Sequence, residues 1–408
     1  MTTSTFGKRG LTPQAANPAP RFATAAAARQ GAAAAPFGLS GQAKREKSFA
    51  DRLPLLTLGL IAFLLCIFGI ERRLAFDIDR SGQISLESLI AFGGASYDRV
   101  IGDFEYWRLF LAPLLHASGS HVIGNGFALL FVGLRLESMI GRAWLAAIFV
   151  LSALGGELGS LLGNAHVTTT VGASGAISGL IGALFVISFQ VADPLQQRKM
   201  MRTAARFGVP ALAPLLFGAS GHVDYYAHSA GAVTGAVAGG LMSAFWPTDE
   251  DRPNFTRQAA AAALIALAAA LVSCGFAARQ YASHGERAAQ FIPSAEIPDG
   301  FKVNGGKATE LLARYPGDPR SHIAQAMVYL RTRELASAEA ELRKALALAS
   351  TDFAGQPVVA LTQTLLAVVI AEQGRRGEAK AMAGGLCRDG GEDTEKLRGM
   401  LGRAKLCE

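Results

Sequence analysis

Apolar residues in this chain gather into runs longer than the buried face of a soluble helix requires. Seven stretches stand out: Leu53–Ile70, Ala117–Leu134, Trp144–Gly163, Gly172–Ala192, Phe207–Ser220, Tyr225–Trp246 and Ala259–Ala278. A helix of about 20 apolar residues crosses the hydrocarbon core of a bilayer, so the pattern predicts an all-α bundle of seven transmembrane helices. The fifth stretch is short and holds Pro210 and Pro214, which makes its limits the least defined. From about Lys307 the pattern changes to apolar residues at helical spacing, with Ala at close-packing positions. Ala326, Ala338 and Leu346 recur as Ala367, Ala379 and Cys387, each 41 residues later, with residues 352–357 as an added connection.

Three regions follow. Residues 1–50 are rich in Ala, Pro, Gly and Ser with no acidic residue before Glu46, and read as a disordered basic tail. Residues 51–280 form the membrane domain. Residues 281–408 form a small soluble α-helical domain that resembles tetratricopeptide helix pairs, whose usual period is about 34; a helical bundle without a repeat is the alternative. No short apolar run followed by a cleavage site is expected to act as a removable signal.

Charge supplies the orientation. Half of the residues are hydrophobic and 17% are charged, as in a membrane protein. The net charge of +7 sits largely in the tail and in certain loops. It sets orientation rather than a nucleic-acid surface. The loops after spans two, four and six carry Arg135, Arg142, Arg198, Lys199, Arg202, Arg206, Arg252 and Arg257, whereas those after spans three and five carry no Lys or Arg. The first set is therefore expected in the cytoplasm, together with the N-terminus and its Lys44, Arg45, Lys47 and Arg52. An odd number of spans sends the C-terminus across. The expected location is a bacterial inner membrane with a periplasmic C-terminus. The acid-poor, Arg-containing start keeps the mitochondrial inner membrane as the alternative. Cys66 and Cys274 fall within spans, and Cys387 and Cys407 are expected to be bonded outside the cytoplasm. No CxxC pair occurs, so no structural zinc site is expected.

Ionisable and polar residues inside spans are functional candidates. In this topology Ser174 lies near the external end of span four, and His228 lies in the first turn of span six. His121 and Asn125 lie one turn apart on one face of span two. Four polar side chains from three spans thus share one depth. A serine hydroxyl becomes a nucleophile when a neighbouring imidazole takes its proton, a role for His228. His121, Asn125 and the Ser174 backbone N–H can stabilise the negative charge that acyl transfer places on oxygen. Gly231, Gly235 and Gly239 form a stripe along which span six can approach span four. Trp107 and Arg108, in the long loop after span one, read as an interfacial anchor at the headgroup level. Glu157 in span three reads as a hydrogen-bonded structural residue, and His116 as a support for the loop.

Several separate motifs resemble those of the rhomboid family of intramembrane serine proteases. Gly172-Ala173-Ser174-Gly175 is similar to its GxSG motif, and Ala227 to Gly235 to its AHxxGxxxG motif, with His228, Gly231 and Gly235 in place. His121 and Asn125 fit HxxxN, with His116 five residues earlier. Trp107-Arg108 fits the loop-one WR, and Glu137 with Gly141 the ExxxG after span two. The resemblance covers roughly residues 51–250, and span seven fits a six-plus-one variant. It implies a Ser174–His228 dyad without a third acid, cleaving single-span membrane proteins near the external end of their helices. It implies lipid and transmembrane substrates as partners, with no metal and no cofactor. Ser178 stands where the family usually has an aromatic residue packed on the base, which leaves that ring to be held in another way. The C-terminal helices are expected to contact protein partners. The alternative function is a catalytically silent rhomboid-like protein that binds membrane helices; a transporter would want ion sites at the midplane.

Overall fold

The computed structural model describes residues 53–164, 169–212, 224–246, 252–297, 303–349, 356–388 and 392–407. The expected tail, residues 1–50, and the end of the fifth stretch with Pro214 lie outside them. Helix dominates the described residues, and extended segments pair only at two single bridges, Ile78–Ile84 and Ala95–Thr170. The membrane part consists of α1 (Leu55–Leu74), α4 (Gly119–Gly163), α5 (Ser174–Ser188), α6 (Pro194–Leu212), α7 (Tyr225–Ala244) and α8 (Thr256–Ala288). Two short helices, α2 (Leu86–Phe92) and α3 (Arg108–Leu111), lie between α1 and α4. Among the described residues α1, α4 and α8 are long and apolar enough to cross a membrane. The 15 residues of α5 are apolar but fewer. The core lies where both arms of α4 meet α5, around Leu129, Val132, Leu145, Ile148, Leu180 and Leu184.

The second and third expected spans are the two arms of α4. The loop expected between Leu134 and Trp144 shrinks to a break at Gly141, where φ is 80° and ψ 170°. Its flanks carry Arg, Leu, Glu, Met and Ala, which favour helix over loop. The break is held from several sides. The Glu137 carboxylate accepts from the backbone N–H of Leu56 at 3.0 Å and of Thr57 at 2.8 Å, and from the Thr57 hydroxyl at 2.7 Å. It thereby caps the first turn of α1, whose N–H groups have no partner within the helix. Arg252 donates to the carbonyls of Glu137 and Met139, at 3.3 Å each.

The basic stretch after Asp193 is also helical rather than a loop. The Asp193 carboxylate accepts from the N–H groups of Leu195 and Gln196 at the start of α6. The residues that follow are strong helix formers. Met200 and Ala204 are buried, and Arg198, Lys199, Arg202 and Arg206 are exposed. Hydropathy located the apolar end of this helix and missed its amphipathic beginning.

Beyond α8 come α9 (Gly305–Arg314), α10 (Pro319–Arg331), α11 (Leu335–Ala349), α12 (Gln356–Glu372), α13 (Arg376–Arg388) and α14 (Glu392–Arg403). The turns between α10 and α11 and between α12 and α13 each hold a left-handed residue, Arg333 (φ 64°) and Gly374 (φ 88°), 41 positions apart. The recurring Ala326, Ala338, Ala367 and Ala379 are all buried in one core. Cys387 and Cys407 are bonded, as expected. The helix α8 runs to Ala288, past position 281, where the soluble domain was expected to begin. Tyr281 donates from its hydroxyl to the Leu74 carbonyl, and Asp77 accepts from the backbone and hydroxyl of Ser294, so the C-terminal end of α8 and the residues after it are tied to the end of α1 and the loop that follows.

Gly141→Ala is expected to destabilise the fold by about 1–3 kcal/mol, because its left-handed backbone admits a Cβ only with strain. The added methyl would also lie 3.2 Å from the Arg252 guanidinium. A fall in Tm in detergent, with Gly124→Ala as the unstrained control, checks this.

Candidate active site

Ser174 is the first residue of α5, and the turn that delivers it is set by Gly172. There φ is +123°, a region that L side chains rarely adopt. A Cβ on Gly172 would lie 2.7 Å from His121 Cε1, 2.8 Å from His121 Nε2 and 3.7 Å from Asn125 Nδ2. The imidazole of His121 thus fills the space that a side chain at 172 would need. Two side chains from the start of α4 are brought against the loop that ends in Ser174. The Gly172 N–H donates to the Ala112 carbonyl at 2.9 Å and fixes the loop from the other side.

Asn125 is oriented by His116, which is fully buried. The Leu114 carbonyl can only accept, so His116 Nδ1, 3.2 Å away, carries the proton. Its Nε2 then accepts from Asn125 Nδ2 at 3.0 Å. The second Asn125 N–H is left for the site. The backbone N–H of His116 donates to the buried Glu71 carboxylate, at 3.2 Å to each oxygen. The His116 and His121 rings meet edge to face at 5.0 Å.

His228 comes from α7, and its height is set by contact between main chains. A Cβ at Gly231 would collide with the Gly175 carbonyl, one at Gly235 with the Gly179 carbonyl, and one at Gly239 would reach 3.0 Å from Ala183 Cα. The two helices therefore run side by side in matching steps of four residues. His228 lies three residues before Gly231 on the same face, about 4.5 Å along the axis. That step brings it level with the turn of residues 172–174. The start of α7 is pinned by Asp224, whose carboxylate accepts from Ala227 N at 2.9 Å and from the Ser160 hydroxyl of α4. His228 Nδ1 lies 3.0 Å from the Ala211 carbonyl on α6. A carbonyl cannot donate, so Nδ1 carries a proton, and in the neutral ring Nε2 is the nitrogen with the lone pair.

The other expected residues fall in four places. Gly175 lies against α4 and α7, 3.2 Å from where a Cβ on Gly156 would sit. Arg108 is fully buried and is no interfacial anchor. Its guanidinium donates to Glu105 at 2.6 Å, to the carbonyls of Ile90 at 2.6 Å and Gly94 at 3.0 Å, and to Gln280 of α8 at 3.4 Å, and it stacks on Trp107 at 4.4 Å. Burial of a guanidinium is tolerated when it is paired and hydrogen-bonded, and composition alone did not show these acceptors. Glu137 belongs to the break in α4, about 24 Å along the helix from His121. Ser178 is buried and lines a cavity of about 720 Å³ between α5, α6 and α7, walled mainly by Ile181, Phe185, Ala204, Val209 and Leu212.

Four contributors were missed: Glu71, Thr170, Asp224 and the Ala211 carbonyl. An Asp just ahead of a helical run is a cap signal that could have nominated Asp224. The Ala211 carbonyl left no trace in side-chain chemistry.

His116 generates a pH prediction. Burial, followed by the nearby His121 charge, lowers its pKa from 6.5 to about 4. Between those values the unfolded chain binds the proton and the folded one does not. Stability is therefore complete above about pH 6.5 and declines as pH falls to about 4, by up to roughly 3 kcal/mol. Tm measured in detergent from pH 7 to pH 4 should fall for the native protein and fall less for His116→Gln.

The Rhomboid domain family matches residues 103–245. Over 185 residues the chain is 33% identical to RHOMBOID-like protein 1 of Arabidopsis thaliana, covering 43% of this chain and 45% of that one. It is 29% identical to Rhomboid protease AarA of Providencia stuartii over 225 residues, 50% of this chain and 76% of that one. It is 30% identical to Putative rhomboid protease YdcA of Bacillus subtilis (strain 168) over 151 residues, 36% of this chain and 71% of that one. The chain thus spans less than half the length of the plant relative. The match takes in Ser174, His228, His121 and Asn125, and the chain is an integral membrane protein that belongs to the rhomboid family.

Proposed function

We propose that this protein is an intramembrane serine endopeptidase that cleaves transmembrane helices of other membrane proteins near their external ends. The observation that carries the reading is the glycine contact between α5 and α7, from which helix geometry puts His228 at the height of the turn of residues 172–174. In the proposed reaction His228 Nε2 removes the Ser174 hydroxyl proton as the oxygen attacks the scissile carbonyl. The Ala211 carbonyl holds Nδ1–H and so takes the orienting place that a carboxylate has in triads. Negative charge on the former carbonyl oxygen meets the Ser174 backbone N–H, the free Asn125 N–H and His121, in a setting of low dielectric. The imidazolium returns its proton to the leaving amine, and the acyl-enzyme is hydrolysed with His228 activating water.

The loop charges support an orientation with Arg135, Arg142 and the basic face of α6 in the cytoplasm and Ser174 towards the outside. That orientation also puts the disulfide of Cys387 and Cys407 in an oxidising compartment. The helical hairpins α10–α11 and α12–α13 then serve as an external tetratricopeptide-like module for protein partners.

Purified protein in liposomes, given a fluorophosphonate probe and a panel of single-span proteins, tests the reaction. The native protein should label and cleave, Ser174→Ala and His228→Ala should do neither, and Asn125→Ala should slow cleavage by about 100-fold. A native protein that folds, binds single-span helices and never labels would instead be the silent helix-binding relative.

A further inference from the structure

Glu157 is a buried carboxyl group in the second arm of α4 for which the dyad has no use. An ionisable group at such a position is costly to retain without a role. It lines a cavity of about 20 Å³ together with Gly172, Ser174, Thr170 and Asp224. Its Oε2 accepts from the Thr170 hydroxyl at 2.8 Å. The backbone of Thr170 in turn exchanges both hydrogen bonds with Ala95, at 3.1 and 2.7 Å. Thr170 lies two residues before Gly172 and four before Ser174. The short segment from Thr170 to Ser174 is thus held at its far end by Glu157 and Ala95, and in its middle by Ala112 and the His121 ring.

Glu157 also has a companion one turn along the same helix. Ser160 donates to Asp224, which caps α7 and accepts from His228 N through its backbone carbonyl at 3.1 Å. One face of α4 therefore reaches towards the proposed nucleophile through Thr170 and towards the proposed base through Asp224. The second of these connections ends on the cap of α7, whereas the first ends on the non-helical segment that leads into Ser174. Removal of the first should move Ser174 more than it disturbs the bundle.

We infer that Glu157 is a positioning residue for the reaction, acting through the Thr170 hydroxyl to fix the segment that carries Ser174 and its backbone N–H. The inference rests on Ser174 being the nucleophile. A displacement of about 1 Å at a reacting group costs up to about 100-fold in rate, and groups that orient others commonly contribute 10- to 100-fold. Positioning acts on kcat, whereas a mere fold anchor would lower Tm and leave the kcat of the folded fraction unchanged.

The test is a double-mutant cycle in liposomes, read as kcat, KM, the rate of fluorophosphonate labelling and Tm. Thr170→Val and Glu157→Leu should each lower kcat and the labelling rate about 10- to 100-fold, with KM within about twofold. Thr170→Ser and Glu157→Gln keep a donor and an acceptor and should stay within about threefold of the native protein. The double variant should be no slower than the slower single one, because the two act as one unit. Should Glu157→Leu not fold, the contrast of Thr170→Val with Thr170→Ser decides alone. Native-like kcat in Thr170→Val, or losses that multiply in the double variant, would overturn the inference while leaving the protease reading intact. A native protein that neither labels nor cleaves, like Ser174→Ala, would overturn both.

Discussion

Main chain against main chain is the contact on which the site depends. In a bilayer two helices gain little from hiding apolar surface, since the lipid is as apolar as they are; what holds them is close packing and hydrogen bonding. Gly231 and Gly235 bring α7 onto the carbonyls of Gly175 and Gly179 with no side chain between. Contact this close leaves no freedom for one helix to slide or turn against the other. The level of His228 relative to Ser174 is then a property of two backbones rather than of two flexible side chains. Any larger residue in the stripe would separate the helices before it altered any chemistry.

Around that contact α4 acts as the frame. Its first residues bring His121 and Asn125 to Gly172, its break at Gly141 is fastened by Glu137 and Arg252, and its second arm carries Glu157 and Ser160. The polar groups buried along it are nearly all engaged: Glu137 with α1, Ser160 with the start of α7, Glu157 with the segment before α5. Unpaired, each would be costly in hydrocarbon. Paired, each fixes one neighbour, and Arg108 at the start of α3 does the same for the carbonyls of Ile90 and Gly94. Through Gln280, α8 joins this set and is fastened to Arg108 in the region between α1 and α4.

Much of this was legible in the sequence because the bilayer imposes a simple rule on composition. Long apolar runs predict helices of membrane length, the Arg and Lys of the loops predict an orientation, and that orientation predicts a common depth for Ser174, His228, His121 and Asn125. The glycine stripe was readable for the same reason, since a period of four on a helix is one face. What escaped followed different physics. Arg108 looked like a surface residue because side-chain chemistry does not reveal which carbonyls will surround it. The first half of α6 looked like a loop because hydropathy measures transfer into lipid and helix formation does not depend on it. The break at Gly141 is one residue of unusual φ in a long helix, and only the family motif, not the hydropathy, had marked that glycine.

The Ala211 carbonyl has a consequence of its own. It is the partner that decides which nitrogen of His228 holds the proton, and it belongs to the peptide backbone of a helix with a proline one residue earlier. Replacing Ala211 by any other amino acid leaves that oxygen in place, so scanning side chains one by one would never register it. Part of what orients His228 is therefore written in the shape of α6 and not in its letters, and such a contact needs no common residue at that position among relatives.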